Sequence, residues 1–272
     1  MRARAILWSA LLPLPIFSAY TYYFTDNLTS INLANWWQNG TLTAGAGGLT
    51  SADANGGSLI SKVAVPDGSS EYEVRTVLAL ASPGGTYIHY LRATSDARSG
   101  PVSSGTYYAV ELQNPAFNGA VCTATLAFYK RVGGVTTLLG SGTVACRSGM
   151  AMRSVRMPDR VHVYFDQTYV SGFVDSSIAA GTPGIGVRAA PAGNAIAQVQ
   201  LGPLDRVAPS PVSAQSIGTS IKANEVSLQW QGAPDDANGI GVWHYRMFRN
   251  GQWMGEAATA EFTDATVAPA ST

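Results

Sequence analysis

The chain has 272 residues, of which 46% are hydrophobic and only 12% are charged, and 17 Lys and Arg balance 17 Asp and Glu. Without clustered cations a protein cannot neutralise nucleic-acid phosphates or dock on an anionic membrane surface, so we expect no nucleic-acid partner and no membrane insertion. The length excludes a very small domain and suits one large β domain or two ordinary ones.

Residues 1–19 are predicted to be a signal peptide. The start MRAR is basic, and the following apolar run, 5–19, has the length of a signal-peptide core. Pro13 and Pro15 would interrupt a transmembrane helix. An ordered first strand or a short membrane anchor is the alternative. We therefore expect a secreted protein, extracellular or on the cell surface.

Residues 20–204 carry the pattern of an all-β domain. In EYEVRTVLAL (71–80), Tyr72 and Val74 alternate with Glu71, Glu73 and Arg75, which predicts a strand with one core face and one solvated face. GTYIHYLRAT, GTYYAVEL, RVHVYF and AIAQVQLG follow, separated by turn residues. Short strands recurring about every ten residues without intervening helices predict an antiparallel sandwich or barrel.

The two cysteines, Cys122 and Cys146, flank one predicted hairpin with a Gly-Gly centre. A three-residue loop centred on Gly134 would pair Val132 with Thr136 and place the cysteines opposite each other, whereas a two-residue loop would shift the pairing by one residue. We predict the three-residue loop and a structural disulfide, because a cross-strand pair has a suitable Cα separation and export favours oxidation. Two free buried thiols are the alternative.

The proline pair in LDRVAPSP predicts a linker at 205–211, and a second set of strands follows at 212–272. Within it, Asn250-Gly251 between two apolar runs predicts a type I′ hairpin. The segment from position 206 onward, which contains NEVSLQWQGAPDD and GVWHYRMFRNGQWMG, resembles the first half of a fibronectin type III domain. The resemblance implies that Trp230 and Tyr245 are core aromatics. The family's last strands are missing, so we expect a C-terminally incomplete domain; truncation, or strands supplied otherwise, would account for this.

The segment from about Asn27 to Pro203 is similar to a concanavalin A-like jelly roll of the laminin-G type. The similarity lies in NWWQNGTLTAGAGGLTS, YEVRTVLAL, FYKRVGGVTTLLGSG, VHVYFDQTYV and DSSIAAGTPGIGVR. It implies a jelly-roll sandwich and a choice among sugar-binding lectins, adhesive modules and glucanases. The Glu-x-Asp-x-x-Glu motif of laminarinase-type glucanases has no match here; Glu71 and Glu73, which share a strand face, come nearest to a pair of catalytic acids.

The sequence gives no metal-binding motif. His89, His162 and His244 each lack a second ligand at zinc spacing, and the aspartates do not form a calcium loop. We expect no cofactor. A single calcium site built from distant loops, as lectins of the resembled fold often use, is the alternative that stays open.

Candidate ligand-binding residues lie on neighbouring strands. In GTYYAVELQN, Tyr108, Val110 and Leu112 are predicted to face the core, so Tyr107, Glu111 and Gln113 face outward. The TYIHYLRAT run adds two polar residues, although its facing is ambiguous because both faces carry aromatics. One member of the Trp36-Trp37 pair should be core and the other exposed. The resulting candidates, aromatic and planar polar groups suited to sugars, are Tyr107, Glu111, Gln113, His89, Arg92 and Trp37. An ordinary polar sheet face is the alternative.

These observations favour a secreted, non-catalytic binding or adhesion module that recognises a polysaccharide or another glycan. One alternative is a structural surface or matrix protein whose partners are surface proteins. The other is a glycoside hydrolase with unrecognised acids. A glycoside hydrolase differs from a binding module in its chemistry, since the hydrolase needs a facing pair of carboxyl groups and the binding module does not.

Overall fold

The computed structural model describes residues 22–65, 71–95, 97, 105–204, 218–222, 225–231, 245–257 and 260–266. The predicted signal peptide at 1–19 and linker at 205–211 lie outside these residues, as does His244. Within the part of the chain that is described, no helix has both the length and the hydrophobicity to cross a membrane.

Two antiparallel sheets face each other and form a jelly-roll sandwich, as the sequence predicts. The strands are β1 (Phe24–Asp26), β2 (Trp36–Gly40), β3 (Thr43–Gly45), β4 (Gly48–Thr50), β5 (Gly57–Ser61), β6 (Tyr72–Ala79), β7 (Thr86–Ala93), β8 (Tyr107–Asn118), β9 (Val121–Val132), β10 (Val135–Cys146), β11 (Ala151–Arg156), β12 (Arg160–Phe165), β13 (Thr168–Val174), β14 (Thr182–Arg188) and β15 (Ala195–Pro203). The eight-stranded sheet has the order β13-β12-β11-β6-β15-β4-β3, with β1 also paired to β15. The seven-stranded sheet has the order β10-β9-β8-β7-β14-β5-β2.

The core lies between the two sheets and follows the alternation of the strands. On β6, Tyr72, Val74 and Leu78 are fully buried, and they pack with Val110 and Leu112 of β8 in one cluster. Each large apolar side chain removed from water in this way contributes about 1.5–3 kcal/mol to folding. The predicted core faces of these two strands are therefore confirmed.

The β9–β10 hairpin has a tighter turn than predicted. Val132 pairs with Val135, so the loop has two residues, Gly133 and Gly134, with φ of 55° and 85°. Positive φ at both positions is the type I′ geometry, which matches the twist of the flanking strands better than a longer loop does. The predicted pairing of Val132 with Thr136 is wrong.

The cysteines nevertheless meet, because β10 contains a β-bulge. The register shifts between Leu138 and Gly140, which leaves Leu139 as one extra residue and brings Cys146 opposite Cys122. The two form a disulfide with a Cα separation of 4.9 Å. The predicted disulfide is confirmed, but the bulge rather than the loop length produces it.

The outer face of β6 is only partly solvated, contrary to the prediction of a solvated face: Arg75 is partly exposed, but Glu73 is not. Glu73 is fully buried and forms two hydrogen bonds with the guanidinium of Arg153, at 2.8 and 3.0 Å. The hydroxyl of Tyr22 donates a further hydrogen bond to Glu73 at 3.2 Å. The N-terminal segment at Tyr22 therefore contributes to covering this face, and the carboxylate is held as an internal ion pair.

Toward the C-terminus the described residues form two small sheets. One contains β16 (Gly218–Lys222), β17 (Glu225–Gln229) and β20 (Glu261–Asp264), and the other pairs β18 (Tyr245–Arg249) with β19 (Gln252–Ala257). Asn250 and Gly251 join β18 to β19 with φ of 53° and 79°, which confirms the predicted type I′ hairpin. The rings of Trp230 and Tyr245 meet edge to face at 5.0 Å. The fibronectin type III resemblance remains a prediction.

Candidate functional site

The candidate site lies on the outer face of the seven-stranded sheet, the face turned away from the core. The pairing register places on this face, as successive cross-strand neighbours, Trp37, Ile60, Gly184, Tyr90, Ala109 and Tyr129. An adjacent row contains Asn39, Ser58, Gly186, Ile88, Glu111 and Ala127. Buried members of these rows form a second apolar cluster, separate from the core between the sheets.

A groove of about 460 Å³ lies on this face, and its volume is within the range of small-molecule binding sites. Its lining includes residues 54–57 and the side-chain-bearing positions Asn39, Ser58, Tyr90, Tyr107, Arg131 and Arg188. It therefore combines aromatic rings, amide and hydroxyl groups, and two guanidinium groups.

Glycine makes room for the groove where β14 crosses its floor. A Cβ atom on Gly186 would lie 2.7 Å from the Tyr90 ring atom Cε2, closer than real Cβ contacts allow. The Tyr90 ring can therefore lie over the β14 backbone only because position 186 has no side chain. Gly184 stands two residues earlier on the same face, where a Cβ atom would lie 2.5 Å from Cδ1 of Ile60.

Two tyrosines form the aromatic part of the lining. The rings of Tyr90 and Tyr107 meet edge to face with their centroids 5.0 Å apart, and each residue is less than 10% exposed. An edge-to-face pair fixes both rings more firmly than either would be held alone. Burial raises the pKa of Tyr90 and of Tyr107, so both hydroxyls stay protonated and can donate hydrogen bonds at neutral pH.

The charged groups of the groove converge on these two tyrosines. Arg131 and Arg188 line the groove together with both rings. Burial has the largest effect on the pKa of each phenol; the two arginines lower both pKa values, and Glu111 raises them. Arg188 forms an ion pair with Glu111, and Gln113 Nε2 donates a hydrogen bond of 2.6 Å to the same carboxylate oxygen. Glu111 is thus already engaged on two sides.

Four of the predicted ligand-binding residues lie on the outer face. Tyr107 lines the groove, and Glu111 and Gln113 form the hydrogen-bonded group beside it. Trp37 lies at the β2 end of the face with Lys62 Nζ 5.5 Å from its ring centroid, while its neighbour Trp36 is fully buried in the core. The structure thus brings Tyr107, Glu111 and Gln113 together, with Trp37 at a distance along the same sheet.

His89 does not face the groove, and its prediction as a ligand-binding residue is wrong. Its side chain points between the sheets, with Nε2 2.8 Å from Thr76 Oγ1 and Nδ1 2.8 Å from Ser154 Oγ. Only 1% of the residue is exposed, and burial lowers the pKa of His89 from 6.5 to about 3. His89 is therefore a neutral, hydrogen-bonded core residue.

Arg92 is also buried rather than available to a ligand, so its prediction is wrong too. It is 3% exposed, and its guanidinium donates a hydrogen bond to the backbone carbonyl of Ile178. Its backbone N–H donates to the hydroxyl of Tyr72 at 2.7 Å. A φ of 53° at Arg92 breaks the alternation of β7, so its facing could not be extrapolated from the residues before it.

The groove residues that sequence reasoning missed include Tyr90, Arg131 and Arg188. Tyr90 lies in the run with aromatics on both faces, so its alternation gave no direction. Arg131 follows Tyr129 by two residues on the outer face of β9, which could have been inferred from the hairpin pattern. Gly184, Gly186 and Arg188 alternate on β14, and two small residues followed by a long cation on one face would have been a usable signal.

Metal ligation has no support in the described residues, where no three His, Cys, Asp or Glu side chains come together in a suitable arrangement. Of the acids nearest to a catalytic pair in the sequence, Glu73 lies in β6 of the eight-stranded sheet, and Glu71 directly precedes that strand. Glu73 is buried against Arg153 on the opposite side of the sandwich from the groove.

No protein-family model matches the chain, and no curated protein matches it in sequence. Among solved structures, the chain is similar to the carbohydrate-binding module CBM66 from Bacillus subtilis, with 16% identity, a TM-score of 0.42, and coverage of 62% of this chain and 92% of the module. The carbohydrate recognition domain of Emp47p matches with 12% identity, a TM-score of 0.44, and coverage of 69% and 98%. A β-1,3-1,4-glucanase (lichenase) derived from a mouse hindgut metagenome matches with 10% identity, a TM-score of 0.41, and coverage of 66% and 99%.

Proposed function

We propose that the groove binds a carbohydrate and that the protein is a secreted, non-catalytic binding module. One observation carries this proposal: two fixed tyrosines, an amide and two guanidinium groups converge on a glycine-floored groove of about 460 Å³. Sugars present apolar C–H faces and many hydroxyls, and sites that bind them combine aromatic surface with planar polar side chains.

The distribution of acids at and beside the groove supports a binding role rather than catalysis. A glycosidase needs two carboxyl groups, about 5–5.5 Å apart for retention or about 6.5–9.5 Å for inversion. Among the described residues that line the groove, none is an acid, and the neighbouring Glu111 is engaged by Arg188 and Gln113. The disulfide between Cys122 and Cys146 is consistent with export to an oxidising compartment.

The test is glycan-array binding of the purified, oxidised protein, followed by affinity measurements for any glycan that binds. Tyr107→Ala removes one ring of the groove, and we expect at least a roughly 5-fold loss of affinity, since one buried aromatic contact is worth about 1 kcal/mol or more. Because this change could also loosen the sheet, a second variant fills the groove from its rim. Ala54 is exposed and lines the groove, so Ala54→Trp should block binding without removing a native contact.

Ala52→Trp is the matched control, since Ala52 is exposed in the same loop and does not belong to the groove lining. We expect it to bind like the wild type. Binding that survives in Ala54→Trp, or a wild type that binds no glycan, would overturn the proposed site. Release of reducing ends from a bound glycan would overturn the non-catalytic role.

A structural surface or matrix protein with protein partners is the second candidate. It is favoured by apolar side chains on the β9–β10 hairpin, where Val132, Val135 and Leu138 are 49%, 70% and 55% exposed. If protein contact is the function, Val135→Ser should abolish adhesion to a surface protein while Ala54→Trp leaves it intact. The opposite result would support the groove.

We further propose that residues 212–272 belong to a fibronectin type III domain that acts as a spacer. The contact between Trp230 and Tyr245 agrees with the core aromatics that the resemblance implies. Proteolytic cleavage within 205–211 should leave glycan binding unchanged. A loss of binding on cleavage would contradict a spacer role.

A further inference from the structure

We infer that the groove selects an acidic saccharide and that Arg131 and Arg188 bind its carboxylate. This inference rests on the proposed glycan-binding function and adds the chemical class of the ligand. The charge balance of the groove favours an anionic ligand. Among the described residues that line it, the charged ones are Arg131 and Arg188, and both are cations.

Glu111 balances only one of these charges. Its carboxylate pairs with Nη2 of Arg188, and the side chain of Glu111 is 8% exposed against 38% for Arg188. The acid therefore lies below the surface of the sheet, and the arginine extends from it toward solvent. The groove is left with one net positive charge, although the whole chain has none.

Arg131 has donors that the protein does not use. Its Nη1 donates to Thr136 Oγ1 at 2.8 Å, and its Nε is buried without a hydrogen-bond partner. The ion pairs among the described residues also leave Arg131 without an acidic partner, so an anionic oxygen at the part of the guanidinium that lines the groove would compensate its charge. Arg131 also lies beside the Tyr107 hydroxyl, which can donate to the same anion.

A planar carboxylate fits this arrangement better than a neutral hydroxyl does. Guanidinium and carboxylate groups form paired, parallel hydrogen bonds, which are roughly twice as strong as bonds between neutral groups. A uronic acid offers that carboxylate on an otherwise ordinary sugar ring. The ring can contact the tyrosines while its carboxylate meets the guanidinium groups.

The experiment compares polymers that differ only in their charge. The probes are alginate, polygalacturonate and hyaluronan, each paired with its carboxyl-reduced, neutral form, and dextran sulfate paired with dextran. We expect at least one uronic-acid polymer to bind about 10-fold or more tightly than its reduced form. Its affinity should fall as NaCl rises from about 50 to 500 mM, because salt screens the contact.

Two substitutions of opposite sign test the residues. Arg131→Gln should weaken binding of the acidic polymer about 10-fold and change binding of the reduced polymer less than about 2-fold. Glu111→Gln should strengthen binding of the acidic polymer, because it releases Arg188 from its internal partner. Arg147→Gln is the matched control, since Arg147 is 63% exposed in its side chain and pairs with Asp166 away from the groove.

The outcomes separate this inference from the function on which it rests. Equal binding of acidic and reduced polymers, with both still blocked by Ala54→Trp, would overturn the acidic selectivity and leave glycan binding in place. Binding of dextran sulfate, with no uronic-acid polymer bound, would show that the groove binds sulfate esters and would overturn the carboxylate assignment. Absence of binding to all of these polymers would overturn the acidic selectivity, and it would overturn glycan binding as well only if the glycan array also shows no bound glycan.

Discussion

Replacing His89 with Gln should remove a pH-dependent part of the stability of this protein. His89 is fully enclosed between the sheets, and its ring nitrogens contact the hydroxyls of Thr76 and Ser154. A neutral imidazole has one donor and one acceptor, and each hydroxyl can adopt the complementary role. No carboxylate contacts the ring in the described residues, so a protonated imidazole there would be a buried charge without a counterion.

The magnitude follows from the two pKa values of His89. Folding lowers the pKa from 6.5 to about 3, because burial disfavours the charged ring. Between these values the unfolded chain binds a proton that the folded chain does not, so stability is complete above pH 6.5 and is lost as the pH falls. The expected loss is about 2 kcal/mol between pH 7.5 and pH 5 and about 3 kcal/mol by pH 4.

The assay is urea unfolding of wild type and His89→Gln at pH 7.5, 5 and 4, followed by tryptophan fluorescence. The glutamine side chain of the variant keeps an amide that can donate and accept, but it does not titrate. The difference in free energy of unfolding between wild type and variant should therefore shrink by about 2 kcal/mol from pH 7.5 to pH 5. Other titrating groups are common to both proteins and cancel. A difference that stays constant with pH, or an imidazole NMR titration of His89 near pH 6.5, would refute this reasoning.

Three further predictions concern the ion pair, the disulfide and the groove floor. Glu73→Gln should lower the free energy of unfolding by about 3–5 kcal/mol, because it leaves Arg153 charged and unpaired inside the protein; urea unfolding measures this. Cys122→Ser should cost roughly 3–4 kcal/mol, the loop-closure entropy of a ring of this size, again measured by urea unfolding under oxidising conditions. Gly186→Ala should displace the Tyr90 ring and weaken glycan binding by about 10-fold or more, measured by titration calorimetry, while the protein stays folded.

Each of these has a result that would count against it. A Glu73→Gln protein as stable as the wild type would mean that the buried pair is compensated by other contacts. If reducing agent has no effect on wild-type unfolding, the disulfide does not constrain the unfolded chain as the entropy model requires. Unchanged binding in Gly186→Ala would show that Tyr90 does not need its position over β14 to contact a ligand.

Much of the sandwich could be predicted because one strand face is often apolar and the other is not. The alternation at Tyr108, Val110 and Leu112 assigned β8 correctly, and the adjacent tryptophans had to face opposite ways. The same rule has no power on β7, where all residues are buried and both faces carry aromatics. The positions of Tyr90 and His89 could therefore be distinguished only by the paired strands.

Other features depend on what packs against a strand, which alternation does not reveal. Glu73 has the sequence context of a solvated face, yet Tyr22 and Arg153 enclose it. The groove likewise depends on β14 and β9 being brought to either side of Tyr90 by the sheet order. Arg131 and Arg188 are 57 positions apart in the sequence. No local pattern indicates that they share a cavity.

Because β10 contains an extra residue, the disulfide also fixes the pairing register of β10 with β9. Without it, the hairpin could straighten at Leu139 and slide by one position, and the strand would then turn Val144 and Cys146 outward and bring their neighbours inward. Both residues now pack against the core. The crosslink is compatible with only one of these two alignments, so it selects among folded arrangements as well as restraining the unfolded chain. A reduced protein could thus be fully folded and still have the outward-facing side chains of β10 turned toward the core.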